Sequence, residues 1–450
     1  MNNNTTENFK LKDGSRIAVI GGGPSGTFFS YFLLNMAERI DLELHVDIYD
    51  SRDFSSDGPP GCNMCGGIIS ESLVQTLATE GIDLPPTVVR RGIESYILHM
   101  DAGSVQIKTP TQEKRIGAIY RGAGPRGIKE SQWESFDGYL LGLAKDKGAN
   151  VIKGRLEKVA WNMGLPEIQM KGGTPKSYDL LGIAAGVNTS ALKLFEDLKE
   201  GYIAPQTTKT FICEYYFGRE TIAKTLGNSM HTFLLDLPRL EFAAIIPKGD
   251  YVTTCMLGKD IDKDLVKAFL TRPEVKRCMP KDWKWDEYVC QCMPKMNIKG
   301  STRAFMDRAI FIGDSGISRL YKDGIGAAYK TAKAAVSGAV FEGVSAELFE
   351  KYTWPAYKKL ESDNKIGKII FFAVGLIQKI PLMRRAILKM ITTEQNRDDR
   401  PKRMSVVLWD MFTGSAPYRT IFFRMFHPFF LASFIWNIVS SIRIFHRRKS

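Results

Sequence analysis

The segment RIAVIGGGPSG, which begins at residue 16, constrains the fold more than any other part of the sequence. An apolar strand runs into a glycine-rich turn, TFFSYFLLNMAERI continues as a helix, and LHVDIYD forms a second strand. Three glycines have the GxGxxG spacing and an aspartate closes the second strand, which is typical of dinucleotide binding, with pyrophosphate at the helix start and ribose on the acid. The residues expected to bind the dinucleotide are Gly21, Gly23, Pro24, Ser25, Gly26 and Asp50.

Two later segments extend this pattern. KSYDLLGIAAGVNTS at 176–190 predicts a buried strand followed by a turn of small residues. RAIFIGDSGISRLYKDGIGAAYK predicts an apolar strand, a turn at Gly313 and Asp314, and a glycine-rich start of a helix at Gly324 and Gly326. A nicotinamide dehydrogenase would not need either segment.

Together with WESFDGYLLGLAKDKGA at 133–149, these segments resemble the para-hydroxybenzoate hydroxylase type of flavoprotein fold. The resemblance implies FAD as the cofactor, with Asp314 on the flavin ribityl chain and the glycines around it near the phosphates. The expected fold class is α/β: a Rossmann-type FAD-binding domain, an inserted antiparallel-sheet substrate domain and a C-terminal helical membrane-associating region.

Within that fold, two segments resemble the geranylgeranyl reductase family, flavoenzymes that saturate isoprenoid double bonds. GCNMCGGIIS at 61–70 matches the family's Cys-Gly-Gly, and EFAAIIPKGDYVTTCMLG at 241–258 matches its strand pair lining the substrate cavity. The resemblance covers roughly residues 15–345. It implies that Cys65, Gly66 and Gly67 lie beside the flavin, and it implies substrate contacts at Phe242, Ile246 and Pro247.

Three positions depart from the family pattern. Ala184, Ala185 and Gly186 stand where the family has Ala-Asp-Gly, so the expected carboxylate is missing. Trp133 replaces an arginine common in the wider fold, and Ala243 and Ala244 reduce the family's aromatic pair to Phe242. These differences affect the expected reductant site and substrate identity more than FAD binding.

The CxxC formed by Cys62 and Cys65 has several interpretations. A helix N-terminus directly after Cys65 would lower the pKa of its thiol, which suits a proton donor beside the flavin. A redox dithiol, an inert buried thiol, and a metal or iron-sulfur site with Cys278, Cys290 and Cys292 remain open alternatives. No metal site is predicted, because the five histidines offer no partner at ligand spacing.

Five segments divide into two discontinuous domains. Residues 1–85, 121–199 and 299–345 are predicted to form the FAD-binding domain. Residues 86–120 and 200–298 alternate apolar and polar side chains and are predicted to form the substrate sheet. No second GxGxxG follows a strand. No separate NAD(P)-binding domain is therefore predicted. The YRGAGPRGIK segment at 120–129 predicts a hairpin connection into the helix at 133, with a phosphate-contacting loop as the alternative.

Charge is concentrated in the last hundred residues. The chain has 62 Lys and Arg against 49 Asp and Glu, and residues 351–450 hold 19 basic and 6 acidic side chains, so the first 350 residues are neutral. A basic tail rich in Phe, Ile and Leu indicates an anionic membrane surface and disfavours nucleic acid. We expect a chain ending near Leu360 to stay folded.

The helix predicted within 425–442 contains 18 uncharged residues between Arg424 and Arg443, fewer than a span requires. Its polar residues share one face, which favours a helix lying in the membrane interface with basic residues at the headgroups. A single span and a helix packed on the body are the alternatives. The polar face consists of Ser433, Asn437, Ser440 and Ser441, and the basic end of Arg443, Arg447, Arg448 and Lys449.

These expectations describe an FAD-dependent reductase of a polyisoprenoid or related lipid, peripheral or monotopic at the cytoplasmic face of a membrane. The N-terminal MNNNTTENFKLKDGS has no apolar stretch typical of a secretory signal. Electrons would come from a carrier protein or NAD(P)H. A lipid monooxygenase or epoxidase and a flavoprotein passing electrons to quinone are the alternatives.

Overall fold

The computed structural model describes residues 9–110, 116–128, 133–198, 201–397 and 401–447, with side chains described up to residue 442. The strands are β1 (Ser15–Ile20), β2 (Leu44–Asp50), β3 (Ile68–Ser70), β4 (Val89–Ile93), β5 (Ser95–Met100), β6 (Gly103–Lys108), β7 (Ile116–Ile119), β8 (Asn150–Lys153), β9 (Leu156–Asn162), β10 (Leu165–Met170), β11 (Lys176–Ser177), β12 (Leu180–Ile183), β13 (Gln206–Lys209), β14 (Phe211–Tyr216), β15 (Ser229–Phe233), β16 (Leu240–Lys248), β17 (Tyr251–Gly258), β18 (Cys290–Cys292), β19 (Lys295–Lys299), β20 (Phe305–Met306) and β21 (Ala309–Phe311).

The helices alternate with these strands at first and then follow them. They are α1 (Pro24–Glu38), α2 (Glu71–Ala78), α3 (Phe136–Asp146), α4 (Ala191–Glu196), α5 (Arg219–Thr225), α6 (Lys263–Leu270), α7 (Pro273–Lys276), α8 (Gly324–Phe341), α9 (Ala346–Leu348), α10 (Trp354–Lys379), α11 (Pro381–Gln395), α12 (Arg403–Thr413), α13 (Tyr418–Met425) and α14 (Pro428–Arg447).

A six-stranded sheet forms the centre of the first half of the fold, in the order β20-β21-β12-β1-β2-β8. Its pairings are parallel except for the edge pair of β20 and β21. Strand β1 lies between β12 and β2, so the glycine turn after β1 opens at the middle of the sheet's carboxyl edge. Ligands of open α/β sheets bind at that edge. The predicted α/β class, with a Rossmann-type parallel sheet, is confirmed.

A seven-stranded, mainly antiparallel sheet forms the second layer, in the order β18-β14-β17-β16-β15-β5-β6. Its strands come from residues 95–108 and 211–292, inside the segments predicted for the substrate domain. Successive side chains of a strand point to opposite faces. On β16, Ala244 and Ile246 line a cleft, whereas Ala243 and Ile245 pack with Phe269 of α6 on the other face.

The C-terminal helices pack onto the cleft side of this sheet. Ile370 of α10, Trp409 of α12 and Tyr418 of α13 are at most 1% exposed and share one apolar cluster with Phe242. This packing contradicts the expectation that a chain ending near Leu360 stays folded, because truncation there would expose the cluster to water.

Helix α14 turns its apolar side chains outward. Asn437 and Ser441 are buried, and Lys389 of α11 donates a hydrogen bond to Ser440 Oγ at 2.8 Å. Ile435 and Trp436 are 57% and 67% exposed. The predicted polar face exists and packs inward. The side chains of the predicted basic end lie outside the residues whose side chains are described.

In the part of the chain that the structure describes, no single helix is long and apolar enough to cross a membrane. Two pairs of consecutive helices reach that length and hydropathy together, but each pair is bent. The bend is 105° between Ala346–Lys379 and Pro381–Gln395, and 62° between Tyr418–Met425 and Pro428–Ile442.

Candidate active site

A cleft is lined by residues of both sheets and of the C-terminal helices. It brings together motifs that lie far apart in the sequence. The predicted site residues that line it are Gly21, Gly23, Pro24, Ser25, Asp50, Cys65, Gly66, Gly67, Phe242, Ile246, Asp314 and Gly324. The predicted residues outside the lining are Gly26, Pro247, Gly313 and Gly326.

The glycine turn after β1 fits closely against its neighbours. Gly21 has φ of 110°, and a Cβ there would lie 2.5 Å from the carbonyl oxygen of Ala184. A Cβ on Gly26 would overlap the carbonyl oxygen of Gly21. Gly26 therefore serves helix packing, which leaves the backbone at the start of α1 open to the cleft.

Asp50 is fixed at the end of β2. Its Oδ2 accepts a hydrogen bond from the Gly22 N–H at 2.7 Å, and its Oδ1 accepts one from the Arg52 N–H at 2.8 Å. A carboxylate oxygen has two lone pairs, so each oxygen keeps one for a ligand hydroxyl. The side chain lines the cleft, as binding of a ribose requires.

Gly313 joins the two glycine motifs. Its φ is +61°, and a Cβ there would overlap the hydroxyl of Ser25 in the first motif. Its N–H donates to Thr331 Oγ1 of α8 at 3.0 Å. This close approach places the following residue, Asp314, in the cleft lining. A residue larger than glycine at position 313 would push this turn away from the first glycine motif at Ser25.

Gly326 has a role in starting α8. Its N–H donates to Asp323 Oδ1 at 3.1 Å, so Asp323 caps the helix. A Cβ at 326 would overlap that carboxylate. Gly324 lies at the first position of α8 and faces the cleft, where the unpaired N–H groups of a helix start attract phosphate.

Arg121 is a cleft residue that the sequence analysis placed in a hairpin connection. Its Nε and Nη2 donate to Asp137 Oδ1 and Oδ2 at 3.0 and 2.9 Å, and Asp137 is fully buried at the start of α3. The Asp137 carboxylate raises the pKa of Arg121, against burial, which lowers it. Arg121 thus presents a fixed positive charge near Gly23, as a phosphate-contacting loop would.

The segment from β7 to α3 is a turn rather than a hairpin over its described residues. Asn63 extends the same network, because its amide donates to Asp137 and accepts from Arg52. The sequence did offer a signal for Arg121. The Tyr-Arg-Gly at the start of the YRGAGPRGIK segment would have indicated it, had the segment been interpreted as a phosphate-contacting loop.

Cys65 lines the cleft and is partly exposed. The Gly67 N–H donates to its Sγ at 3.3 Å. The expected helix does not follow directly, because β3 intervenes and α2 begins at Glu71. Cys62 lies outside the lining, its Sγ accepts from the Met64 N–H at 3.2 Å, and burial raises the pKa of its thiol.

Lys248, at the end of β16, lies behind the Cys-Gly-Gly turn. It is 1% exposed, its Nζ is 4.5 Å from the centre of the Tyr120 ring, and a Cβ on Gly67 would lie 2.8 Å from that Nζ. Burial lowers the pKa of Lys248, while interactions with Glu214 and with Cys65 act in the opposite direction. A buried amine therefore lies next to the candidate proton donor.

Glu214 completes this buried group. Its Oε2 accepts from the Tyr120 hydroxyl at 3.0 Å, and Thr253 Oγ1 donates to both carboxylate oxygens at 2.8 Å. Burial raises the pKa of Glu214, and the charge of Lys248 opposes that shift. The sequence showed no pattern that would link these residues, because antiparallel pairing of β14 with β17 brings them together.

The wall beyond the Cys-Gly-Gly turn is apolar. Phe242 and Ile246 belong to it, whereas Pro247 is buried outside the lining, because its side chain points to the opposite face of β16. The other apolar side chains of this wall are Ile68, Ile212, Met230, Ala244, Cys255, Leu257, Met296, Tyr321 and Phe412. The cleft thus has a polar part fitted to a dinucleotide and an apolar part fitted to a hydrophobic substrate.

Two of the three departures from the family pattern lie at different distances from the cleft. Ala184, Ala185 and Gly186 line the cleft beside the glycine turn and supply no carboxylate. Trp133 lies outside the lining, under Arg90, whose Cζ is 5.1 Å from its ring centre.

The metal expectations have different outcomes. Within the described residues, the sulfurs of Cys62, Cys65, Cys290 and Cys292 do not lie close enough together to bind one metal ion. A different set of side chains does. That group consists of His99, His231 and Cys278. Sequence spacing did not indicate this group, because parallel pairing of β5 with β15 brings His99 and His231 together, and the expectation of no metal site stays a prediction.

No protein-family model and no curated protein matches the sequence. Solved structures do match it. A flavoprotein/dehydrogenase from Cytophaga hutchinsonii has a TM-score of 0.59 at 12% identity, over 89% of this chain and 93% of its own. A variant of the halogenase PltM in complex with FAD has a TM-score of 0.58 at 12% identity, over 91% and 85%. The peptidyl tryptophan dihydroxylase QhpG has a TM-score of 0.56 at 14% identity, over 81% and 76%.

The fold is the one that these flavoproteins share. The likeness extends over 89% of this chain. It agrees with the geometry of the glycine turn, Asp50 and the Gly313 contact, all of which fit FAD. The expected flavin oxidoreductase fold is therefore confirmed, and the comparisons leave the reductase family and its lipid substrate as proposals.

Proposed function

We propose that this protein is an FAD-dependent reductase that saturates C=C bonds of a polyisoprenoid or related membrane lipid. The observation that carries the proposal is the apolar wall that continues from the Cys-Gly-Gly turn at the flavin end of the cleft. The same lining also contains Lys295, Arg319, Lys322 and Asp323. The wall itself is formed by apolar side chains, which suit a hydrocarbon chain because it gains binding free energy by leaving water.

The polar half of the cleft would hold FAD. Asp50 would accept hydrogen bonds from the adenosine ribose, and Arg121 with the start of α1 would contact the pyrophosphate. Asp314 would accept hydrogen bonds from the ribityl chain, beside the helix start at Gly324. Asp50 and Arg121 are held by hydrogen bonds within the protein, so little reorganisation of these two side chains would accompany binding.

Reduced FAD supplies a hydride when it is bound. Cys65 would supply the proton that completes saturation of the double bond, because its thiol lies in the cleft beside the apolar wall. The amine of Lys248 lies behind the same turn, next to Gly67. The apolar wall would exclude water and hold the alkene in place, which matters because an isolated alkene polarises poorly.

The outer surface of the C-terminal helices supports action at a membrane. Exposed apolar side chains cover adjacent helices and belong to Ile369, Phe372, Leu376 and Ile380 of α10 and its end, Phe423 and Phe426 of α13 and its end, and Phe429, Leu431, Ile435, Trp436, Val439 and Ile442 of α14. Exposed basic side chains stand on α10, α11 and α13, at Lys365, Lys368, Lys379, Arg385, Arg419 and Arg424. Apolar side chains with a basic surround fit an anionic bilayer surface.

Packed apolar side chains lie between the cleft and this outer surface. Phe412 of α12 lines the cleft and packs against Phe242, at 5.8 Å between ring centres. Ile421 and Phe430 belong to the same apolar cluster, one helix further out. A lipid tail would therefore enter from the bilayer side. Electrons would come from a carrier protein or NAD(P)H.

Oxygen-dependent chemistry is the second candidate function. Two of the similar structures are named as a halogenase and a dihydroxylase. The same cleft would then place an apolar substrate for hydroxylation or halogenation, and product formation would require oxygen.

Lipid analysis of cells tests the proposal. Cells that produce the protein should contain an isoprenoid lipid heavier by two hydrogens per reduced bond than the lipid of cells lacking it. In cells that produce the Cys65→Ser variant, a smaller fraction of the lipid should be converted. Lipids that gain oxygen or halogen instead would favour the second candidate function.

A further inference from the structure

A buried cluster on the far side of the seven-stranded sheet has the composition of a metal site. His231 lies on β15 next to Met230, which lines the cleft, so its ring points to the opposite face. His99 on β5 and Cys278, two residues after α7, meet it there. All three side chains are at most 7% exposed.

The ligand atoms are close together. His99 Nε2 is 2.9 Å from His231 Nδ1 and 3.5 Å from Cys278 Sγ, and all three atoms lie within 4.8 Å of one another. Zinc binds nitrogen at about 2.0–2.1 Å and sulfur at about 2.3 Å. Tetrahedral geometry then separates two nitrogens by roughly 3.3 Å and a nitrogen from a sulfur by roughly 3.6 Å.

The other ring nitrogen of His99 has a defined partner. Nδ1 lies 2.7 Å from Ser104 Oγ on β6. If Nδ1 carries the ring proton and donates it to that oxygen, Nε2 is unprotonated and has a lone pair for a metal ion. Metal-binding histidines are usually oriented by such an outer hydrogen bond. The ring of His99 is also stacked on Phe233, at 4.7 Å between ring centres, which fixes its plane.

We propose that His99, His231 and Cys278 bind one zinc ion, separate from the flavin cleft, that ties β5 and β15 to the end of α7. Two imidazoles and one thiolate suit a borderline-soft divalent ion such as Zn²⁺ better than Mg²⁺ or Ca²⁺. The fourth position is filled by water. The site does not face the reacting part of the cleft, so its role is to stabilise the sheet.

Binding is balanced in protons. The Cys278 S–H bond breaks as the S–Zn bond forms, and the proton leaves to solvent. His99 keeps its ring proton on Nδ1. Without metal, the Nδ1–H of His231 donates to His99 Nε2. On zinc binding that N–H bond breaks and an Nε2–H bond forms on the same ring, so both imidazoles remain neutral. No oxidant or reductant takes part.

The test uses the full-length protein with its flavin, equilibrated with Zn²⁺ and passed through a desalting column. Elemental analysis by mass spectrometry should find one zinc per chain in the wild type and in Cys213→Ala. Cys213 is a matched control, because it is a buried thiol on the same sheet outside the cluster. Cys278→Ala should lose the zinc, keep its flavin and melt at a lower temperature. Equal zinc content in Cys278→Ala and wild type would overturn the proposal.

A second measurement covers failure of Cys278→Ala to fold. Wild-type protein loaded with Co²⁺ should show thiolate-to-cobalt charge-transfer absorption in a difference spectrum against the Zn²⁺-loaded form, which cancels the flavin. Absence of that absorption, or absence of bound zinc in the wild type, would contradict the assignment. Neither result depends on the reaction that the enzyme performs.

Discussion

At the scale of single residues, Asp50 has two roles. Its carboxylate accepts a hydrogen bond from the glycine turn, and it lines the cleft where we propose that the ribose binds. We predict that Asp50→Ala retains FAD more weakly, because it loses hydrogen bonds to a charged group, worth about 1.5–3 kcal/mol each. A loss of that size weakens binding roughly 10- to 100-fold. Fluorescence titration with FAD measures it. Asp47→Asn is a suitable control, since Asp47 lies on the same strand outside the cleft lining.

The two cysteines of the CxxC should respond differently to substitution. We predict that Cys65→Ser keeps FAD but slows lipid reduction at least 10-fold, because serine is a much weaker acid than a thiol. Cys62→Ser should stay within a factor of about three, since Cys62 does not line the cleft. The two variants are compared by their steady-state rates of lipid reduction, measured on samples with equal flavin content. Equal losses in both variants would assign no special role to Cys65.

Single residues also show what the sequence could and could not predict. Gly21, Gly26 and Asp50 follow from a local spacing that one turn imposes, so their positions were predictable. Arg121 was misplaced, because its role depends on Asp137, a partner in a different element. The cluster around Lys248 depends on strand pairing and carried no sequence signal.

At the scale of elements, α14 is an amphipathic helix with its polar face inside. The sequence predicted that face, but the direction in which it points is set by contacts with α11, such as the hydrogen bond from Lys389 to Ser440. An exposed apolar face on a helix anchored by its polar side needs another apolar surface to cover it.

We predict that Ile435→Asp with Trp436→Asp releases the protein from anionic phospholipid vesicles. Burial of such side chains contributes about 1.5–3 kcal/mol each, so the vesicle partition coefficient should fall on the order of 100-fold or more. Sedimentation with vesicles measures it. Met163→Asp is the control, because Met163 is 98% exposed on the turn between β9 and β10. Unchanged binding of the double variant would remove the membrane surface from this account.

The helices before α14 belong to the core. We predict that a chain ending at Leu360 aggregates and retains no FAD, because it loses α11 to α13 and most of α10, including Trp409 and Tyr418. Expression followed by size-exclusion chromatography and the flavin absorbance of the monomer fraction decides this. A soluble yellow monomer would show that the helices are dispensable.

At the scale of the whole molecule, the chain combines a neutral flavin and substrate body with a basic, apolar surface. Residues 1–350 carry no net charge, and the last hundred residues carry all of the +13. Composition revealed that division, but it did not show that the C-terminal helices also form one wall of the cleft through Phe412 and Thr413. Tertiary packing between distant segments decides that contact, and no local periodicity reports it.

The most direct test is an anaerobic single turnover with geranylgeranyl diphosphate in phospholipid vesicles. The protein is reduced chemically, mixed with the vesicles without oxygen, and followed by the return of oxidised flavin absorbance. We predict that reoxidation of the flavin matches a gain of two hydrogens in the lipid, and that Cys65→Ser slows both. Flavin that stays reduced until oxygen is admitted, with product that then contains added oxygen, would contradict it.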